Sequence, residues 1–167
     1  SPPYGDSRTT VAYGQFSRLS NQWLGIENAS QIDNILMGGS RKDDMTTFYS
    51  KYAKEELEQI KEIDHKRYIE VENFLNDYKL SIDNVAQSVR KKGRIAYVVG
   101  NRTVKGVQIP LDYITVELFE QNGFEHLTTI VREIPNKRMP KENSPTNEKG
   151  KKSSTMNNEY IVLMEKL

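Results

Sequence analysis

One stretch sets most of the limits on the fold. Val71, Phe74, Leu75, Tyr78, Ile82, Val85, Ala86 and Val89 recur at three- and four-residue steps, the repeat of one face of an α-helix. The pattern stops at Arg90-Lys91-Lys92-Gly93. Cations suit the carbonyl end of a helix, and a glycine there can take the left-handed cap. Arg94 to Val99 follows at once, short, apolar and β-branched, and closes at Gly100. Such a run after a helix and a tight turn reads as a buried parallel strand.

The carboxyl half repeats the alternation. Leu111 to Asn122 is helical through Leu111, Ile114, Leu118 and Phe119, with Pro110 near its start and Gly123 past its end. Phe124 to Ile134 reads as a strand, and Glu159 to Met164 as another. The order helix, strand, helix, strand, loop, strand is the α/β signature, and the closing pair is expected to form an antiparallel hairpin with a long loop. Upstream, Met45 to about Tyr68 is charged and broadly helical, through Tyr49, Tyr52, Ala53, Leu57, Ile60 and Ile63. Residues 1–47 hold Pro2, Pro3, Gly5, Gly14, Gly25, Gly38 and Gly39 and read mostly as loop, with a short helix around Phe16–Leu24.

Composition removes whole classes of chemistry. With no cysteine in 167 residues, disulfide scaffolds, Cys-ligated metals and thiolate nucleophiles are excluded. Two isolated histidines do not make a metal site. His65 lies among charged residues and reads as solvated, and His126 as structural. Glu117 and Glu120 have no second acidic cluster to support hydrolysis by paired carboxylates. No apolar run nears the roughly 18 residues of a membrane span, and the first residues lack the basic start and apolar stretch of a signal peptide. The expectation is a soluble, cytoplasmic protein.

The formal net charge is +1, yet the charge is segregated. Asp43 to Asp83 carries eleven acidic and six basic residues, whereas Arg132 to Lys152 carries seven basic and three acidic. The second stretch, broken by Pro135, Pro140, Pro145 and Gly150, reads as an exposed basic loop suited to phosphates. Lys137, Arg138 and Lys141 are its candidate contacts. Arg8, Tyr13, Gln15 and Arg18, together with Phe16, combine groups for phosphate contact, base-edge readout and stacking. Arg102 follows a strand's carboxyl end, where α/β proteins usually bind ligands.

Ser1-Pro2-Pro3-Tyr4 is the most telling motif. Two prolines fix an extended, rigid backbone and display carbonyls without N–H groups. A rigid carbonyl beside a side-chain acceptor suits an NH2 group, and a ring just beyond can stack on a flat substrate.

The run Ser1 to Ser20 (SPPYGDSRTTVAYGQFSRLS), with Trp23 and Leu24, closely resembles the region after the fourth conserved block of amino-methylating DNA methyltransferases. Gly93 to Asn101, Asn136 to Pro140, Asn143-Ser144-Pro145 and Met156 to Leu163 resemble the carboxyl half of that family. The resemblance is weakest over Ser40–Tyr78. It implies an S-adenosylmethionine-dependent enzyme in which the amino nitrogen of a base flipped out of double-stranded DNA attacks the sulfonium methyl directly. The catalytic group would be Ser1, Pro2, Pro3 and Tyr4. The Ser1 side chain and Pro2 carbonyl would accept hydrogen bonds from the amino group, and Tyr4 would stack on the base. The Ser form of the block is closer to the cytosine-N4 branch than to the adenine-N6 branch. The lack of cysteine separately excludes cytosine-C5 methylation.

The family's Phe-x-Gly-x-Gly-type cofactor loop is absent, and Gly38-Gly39-Ser40 does not replace it. No cofactor-binding residue is therefore assigned. The chain is expected to be the carboxyl-terminal part of a methyltransferase domain, a partial Rossmann-like α/β fold. Residues 1–40 would form the active-site region, 41–80 a helical insertion, and 81–167 the α/β core with the basic loop at 132–152. The missing half would lie upstream. The chain would then need that half, a complementary segment or self-association, and would be inactive alone. An RNA amino-methyltransferase and a catalytically empty DNA-binding or assembly module are the alternatives. A preference for structured RNA would mark the first, and nucleic-acid binding without cofactor binding the second.

Overall fold

The computed structural model describes residues 1–5, 13–32, 36–39, 47–134, 142–143, 153–154 and 158–167. Helix α1 spans Tyr13–Trp23 and is followed by a 3₁₀ turn at Ala29–Gln31. Helix α2 spans Lys54–Ile63 and α3 spans His65–Ser88. A single residue separates them. Asp64 is extended (φ −157°, ψ 94°), and its carboxylate accepts the Arg67 backbone N–H at 3.1 Å, which caps α3. The sequence reading puts the break between Tyr68 and Val71. The cap places it at Asp64, and residues 47–50 precede α2 without helix. Helix α3 continues without interruption past residue 80, so Val71, Phe74 and Leu75 share one core with Ile82 and Ala86.

The end of α3 also differs from expectation. Lys92, not Gly93, adopts the left-handed conformation (φ 60°). Gly93 is required for space, since a Cβ there would lie 2.7 Å from the Arg90 carbonyl oxygen. The helix's last carbonyls are met from far along the chain. Lys166 Nζ donates to the Ala86 and Val89 carbonyls at 2.7 and 2.8 Å, placing a cation at the negative helix end.

Strand β1 spans Arg94–Val99. The short strands β2, Thr103–Val104, and β3, Val107–Gln108, form a hairpin. Its two turn residues, Lys105 (φ 51°) and Gly106 (φ 86°), are both left-handed, as a tight two-residue hairpin requires. Helix α4 spans Leu111–Gln121 and β4 spans Phe124–Glu133. Between them Gly123 is left-handed at φ 78°, as expected of a residue past a helix end. Two-residue strands β5, Glu142–Asn143, and β6, Ser153–Ser154, pair with each other. Strand β7 spans Asn158–Lys166.

The main sheet has the order β1-β7-β4. The expected β4–β7 hairpin pairing is present, but β7 lies between β1 and β4 and is antiparallel to both. The parallel reading of β1 is therefore corrected, because its described neighbour is antiparallel and its burial is uneven. Ile95, Tyr97 and Val99 stand opposite Met164, Val162 and Tyr160 and turn toward the core. Helices α3 and α4 supply the other wall. Phe119 meets Tyr97 and Phe124 edge-on at 5.0 and 5.2 Å. The Tyr78 hydroxyl lies 2.7 Å from Thr115 Oγ1, whose own hydrogen goes to the Leu111 carbonyl. Tyr78 is therefore the donor in that pair, and burial pushes its phenol pKa up.

Candidate active site

The amino-terminal corner sits where β1 and β4 end and β7 begins. Those are the carboxyl ends of two strands, the usual ligand end of an α/β sheet. The Ser1 hydroxyl donates to the Val98 carbonyl on β1 at 3.3 Å and also lies 3.4 Å from the Tyr4 hydroxyl. Tyr4 donates to Glu159 Oε1 at 2.9 Å, and the other Glu159 oxygen is bound by Arg132, its cross-strand partner. With its hydrogen directed at the main chain or at Tyr4, Ser1 Oγ keeps lone pairs free to accept. Burial first, then the link to Glu159, raises the Tyr4 pKa although Ser1 opposes this. The Arg132 guanidinium holds the Glu159 carboxyl below its usual range.

Beside the corner lies a small hollow of about 20 Å³, room for about one water, lined by Tyr4, Gly5, Val71, Phe74, Arg102, Val104, Ile109 and Leu111. Helix α3, the β2–β3 hairpin and the start of α4 meet there. Among the described residues its lining side chains are apolar apart from the Tyr4 hydroxyl and the Arg102 guanidinium. Arg102 is held in place by its neighbour: the buried Asn101 donates from Nδ2 to Asp112 Oδ1 at 2.8 Å and accepts the Asp112 backbone N–H at 3.1 Å. That clamp ties the end of β1 to the first turn of α4. Asn101 is thus structural, while Arg102 shares a hollow with Tyr4.

No protein-family model matches the chain. Over 176 aligned residues it is 43% identical to the type II methyltransferase M.MvaI of Kocuria varians, covering 99% of this chain. This chain is a homologue of a type II methyltransferase. It spans 39% of the length of that curated relative. Two structures of a DNA modification methylase from Thermus thermophilus are also similar in part. One is 23% identical with a TM-score of 0.42, covering 62% of this chain and 40% of that one. The other, complexed with S-adenosyl-L-methionine, is 25% identical with a TM-score of 0.39, covering 56% and 37%.

The homologue's other predicted site residues are placed unevenly. Arg18, on α1, donates to the Ser30 carbonyl at 3.4 Å, and no described contact brings it to the corner. On the same helix Trp23 is 90% exposed. Tyr13 and Gln15 lie on α1, but their side chains, and all of Arg8, Lys137, Arg138 and Lys141, fall outside the described residues. Most of the 132–152 loop does so too. No helix among the described residues is long and apolar enough to cross a membrane.

Two buried carboxylates have work other than chemistry. Glu72 accepts the Phe48 backbone N–H at 3.0 Å and the Tyr68 hydroxyl at 2.9 Å. Burial, then that bond, pushes Tyr68 up to about 12. Glu117 accepts from the Ser50 hydroxyl and, at 3.2 Å, from the Lys51 backbone N–H. Both carboxylates fasten the segment before α2 to the helices behind it. Glu159 is the site residue that sequence reading misses, since nothing near it in the chain marks it as Tyr4's partner.

Proposed function

We propose that this chain is a segment of an S-adenosylmethionine-dependent DNA methyltransferase acting on an exocyclic amino group, cytosine N4 ahead of adenine N6. Double-stranded DNA with the target base turned out is the substrate. The observation that carries the reading is the Ser1–Tyr4 corner at the strand ends, with a hydroxyl free to accept and a ring anchored at its far end. Homology to a type II methyltransferase supports it. Bound S-adenosylmethionine supplies an electrophilic methyl group.

The chain's own residues handle the acceptor. Ser1 Oγ and the Pro2 carbonyl accept from the two amino N–H bonds. Drawing those hydrogens to fixed acceptors exposes the nitrogen lone pair on the opposite side. Tyr4 covers one face of the base, while Pro2 and Pro3 keep the two acceptors from moving. Arg102 and the 132–152 segment supply positive charge for phosphates, with Arg8, Tyr13, Gln15 and Arg18 as further contacts.

This segment fits the acceptor half of the reaction. Among the described residues the hollow beside Tyr4 carries no acidic side chain to receive ribose hydroxyls, and the cofactor's nucleoside is assigned to the remainder of the enzyme. The sheet supports such a remainder. β1 has a described neighbour on one side only, and Ser1 reaches its Val98 carbonyl, so a strand leading into Ser1 would run beside β1.

The test is mass spectrometry of nucleosides from DNA treated with the complete protein. N4-methylcytosine is the expected product, and N6-methyladenine would move the target within the same chemistry. No methylated nucleoside in DNA, together with no calorimetric heat from S-adenosylmethionine, would overturn the reading. Methylation confined to RNA would replace DNA as the substrate.

A further inference from the structure

We infer that Glu159 is a positioning residue for methyl transfer, holding the Tyr4 ring in its place through the hydrogen bond it accepts from the Tyr4 hydroxyl. The inference rests on the proposed role of Tyr4 as the ring that covers the base. Pro3 fixes the backbone before Tyr4, but it leaves the ring's two side-chain torsions free. Gly5, which follows, has no side chain to brace the ring. The hydroxyl oxygen lies on the axis about which the ring turns, so a bond there fixes where the ring points, and the phenolic O–H, which favours the ring plane, ties that plane to the direction of the acceptor.

Glu159 is well placed to give that bond. It stands near the start of β7, paired with Arg132 on β4, and the next residue, Tyr160, is paired with strands on both sides. Only 14% of its side chain is exposed. Its second oxygen is taken by Arg132, directly opposite on β4. One oxygen is thus committed to the sheet and the other to Tyr4. Arg132 is 59% exposed, and an ion pair that open contributes little to stability. The arrangement orients a carboxylate more than it holds the fold.

The sheet contains a matched control. Arg94 and Glu165 form the same kind of cross-strand pair at the other end of β7, at 2.7 Å, on the same face and with no tyrosine described on the carboxylate. If Glu159 mattered only as a surface ion pair, Glu165 would matter equally.

The experiment uses the complete enzyme, single-turnover methylation, and a duplex with 2-aminopurine at the target base. Glu159→Ala and Tyr4→Phe are each expected to lower the methylation rate about tenfold, the scale of one lost charge-assisted hydrogen bond, with KM for DNA unchanged. The double variant should be no slower than either single one. Glu159→Gln, which still accepts from the hydroxyl, should stay within about threefold of wild type, and Glu165→Gln should match wild type. The flipped-base fluorescence should persist in all of them but become broader in lifetime in Glu159→Ala and Tyr4→Phe.

Tyr4→Phe at the wild-type rate overturns the proposal even where Glu159→Ala fails to fold. Losses that multiply in the double variant, or an equal loss in Glu165→Gln, overturn it as well. Tyr4→Ala separates the two levels. If it abolishes turnover while Tyr4→Phe and Glu159→Ala do not slow it, the inference fails and the base-covering role stands. If Tyr4→Ala is as fast as wild type, both fall.

Discussion

Glu159 has one carboxylate oxygen on a tyrosine and the other on an arginine, and this fixes its response to acid. Its pKa is held down chiefly by the Arg132 bond, against burial. A depressed carboxylate contributes stability that is full above its unfolded value and is lost as pH falls through the folded one. The Tyr4 phenol is raised, so it remains a donor through neutral and mildly alkaline pH. The Tyr4–Glu159–Arg132 link should therefore be intact at neutral pH and break only below the ordinary carboxylate range. Carbon-13 chemical shifts of the Glu159 carboxylate should titrate below that range, and Arg132→Ala should move the midpoint up. A second expectation concerns Tyr78, whose hydroxyl is buried on Thr115. Tyr78→Phe leaves that threonine oxygen one bond short, and urea unfolding should show a loss of about 1 kcal/mol. Of these residues, Ser1 and Tyr4 are conspicuous in the sequence because the two prolines between them fix a rigid backbone. Glu159 is not, since its partner lies 155 positions away and no local pattern encodes a contact over that distance.

Elements are legible where one face is apolar and obscure where charge covers both ends. The stripe from Val71 to Val89 identifies α3, and Gly123 marks the end of α4. The start of α3 is hidden because its cap, Asp64, sits among other charged residues and looks like one more surface carboxylate. The turn after α3 shows a different limit. A basic run and a glycine correctly signal a stop, but sequence cannot say which residue turns left-handed. Gly93 matters for what its missing side chain avoids. Gly93→Ala forces a Cβ against the Arg90 carbonyl and should cost about 1–3 kcal/mol in denaturant melts. Lys166→Met, which removes the cation from the end of α3 while keeping an apolar stem, should cost about 0.5–2 kcal/mol. Near-equal stability of either variant with wild type would show that the turn accommodates the change.

At the scale of the molecule, the main sheet has one face on the core and a second face that is apolar without being covered to the same degree. Ala96 and Ile130 are exposed there, and Val98, Ile161 and Leu163 are half-buried, between the Arg94–Glu165 and Arg132–Glu159 pairs. An antiparallel sheet commonly leaves one face to solvent, but such a face is usually polar, and this one is not. If the chain is part of a longer enzyme, as proposed above, it should bind the dye ANS strongly on its own, and the complete protein should bind it weakly. Equal dye fluorescence from the two would mean that the rest of the protein does not cover this face. The alternation of helix and strand is enough to assign the class. The neighbour of each strand is not legible, because the position of β7 depends on which edges remain open after β1 and β4 are laid down.

That position has a consequence for assembly. β1 and β4 never touch through backbone hydrogen bonds, and each is joined to the sheet by nine residues drawn from the far end of the segment. The same nine residues bring Lys166 to the end of α3 and its backbone to Gly93. A chain cut short before Asn158 would therefore lose the keystone of the sheet, leaving β1 and β4 as unconnected ribbons. Its contacts are long-range, so closure should come late and slowly as the polypeptide emerges.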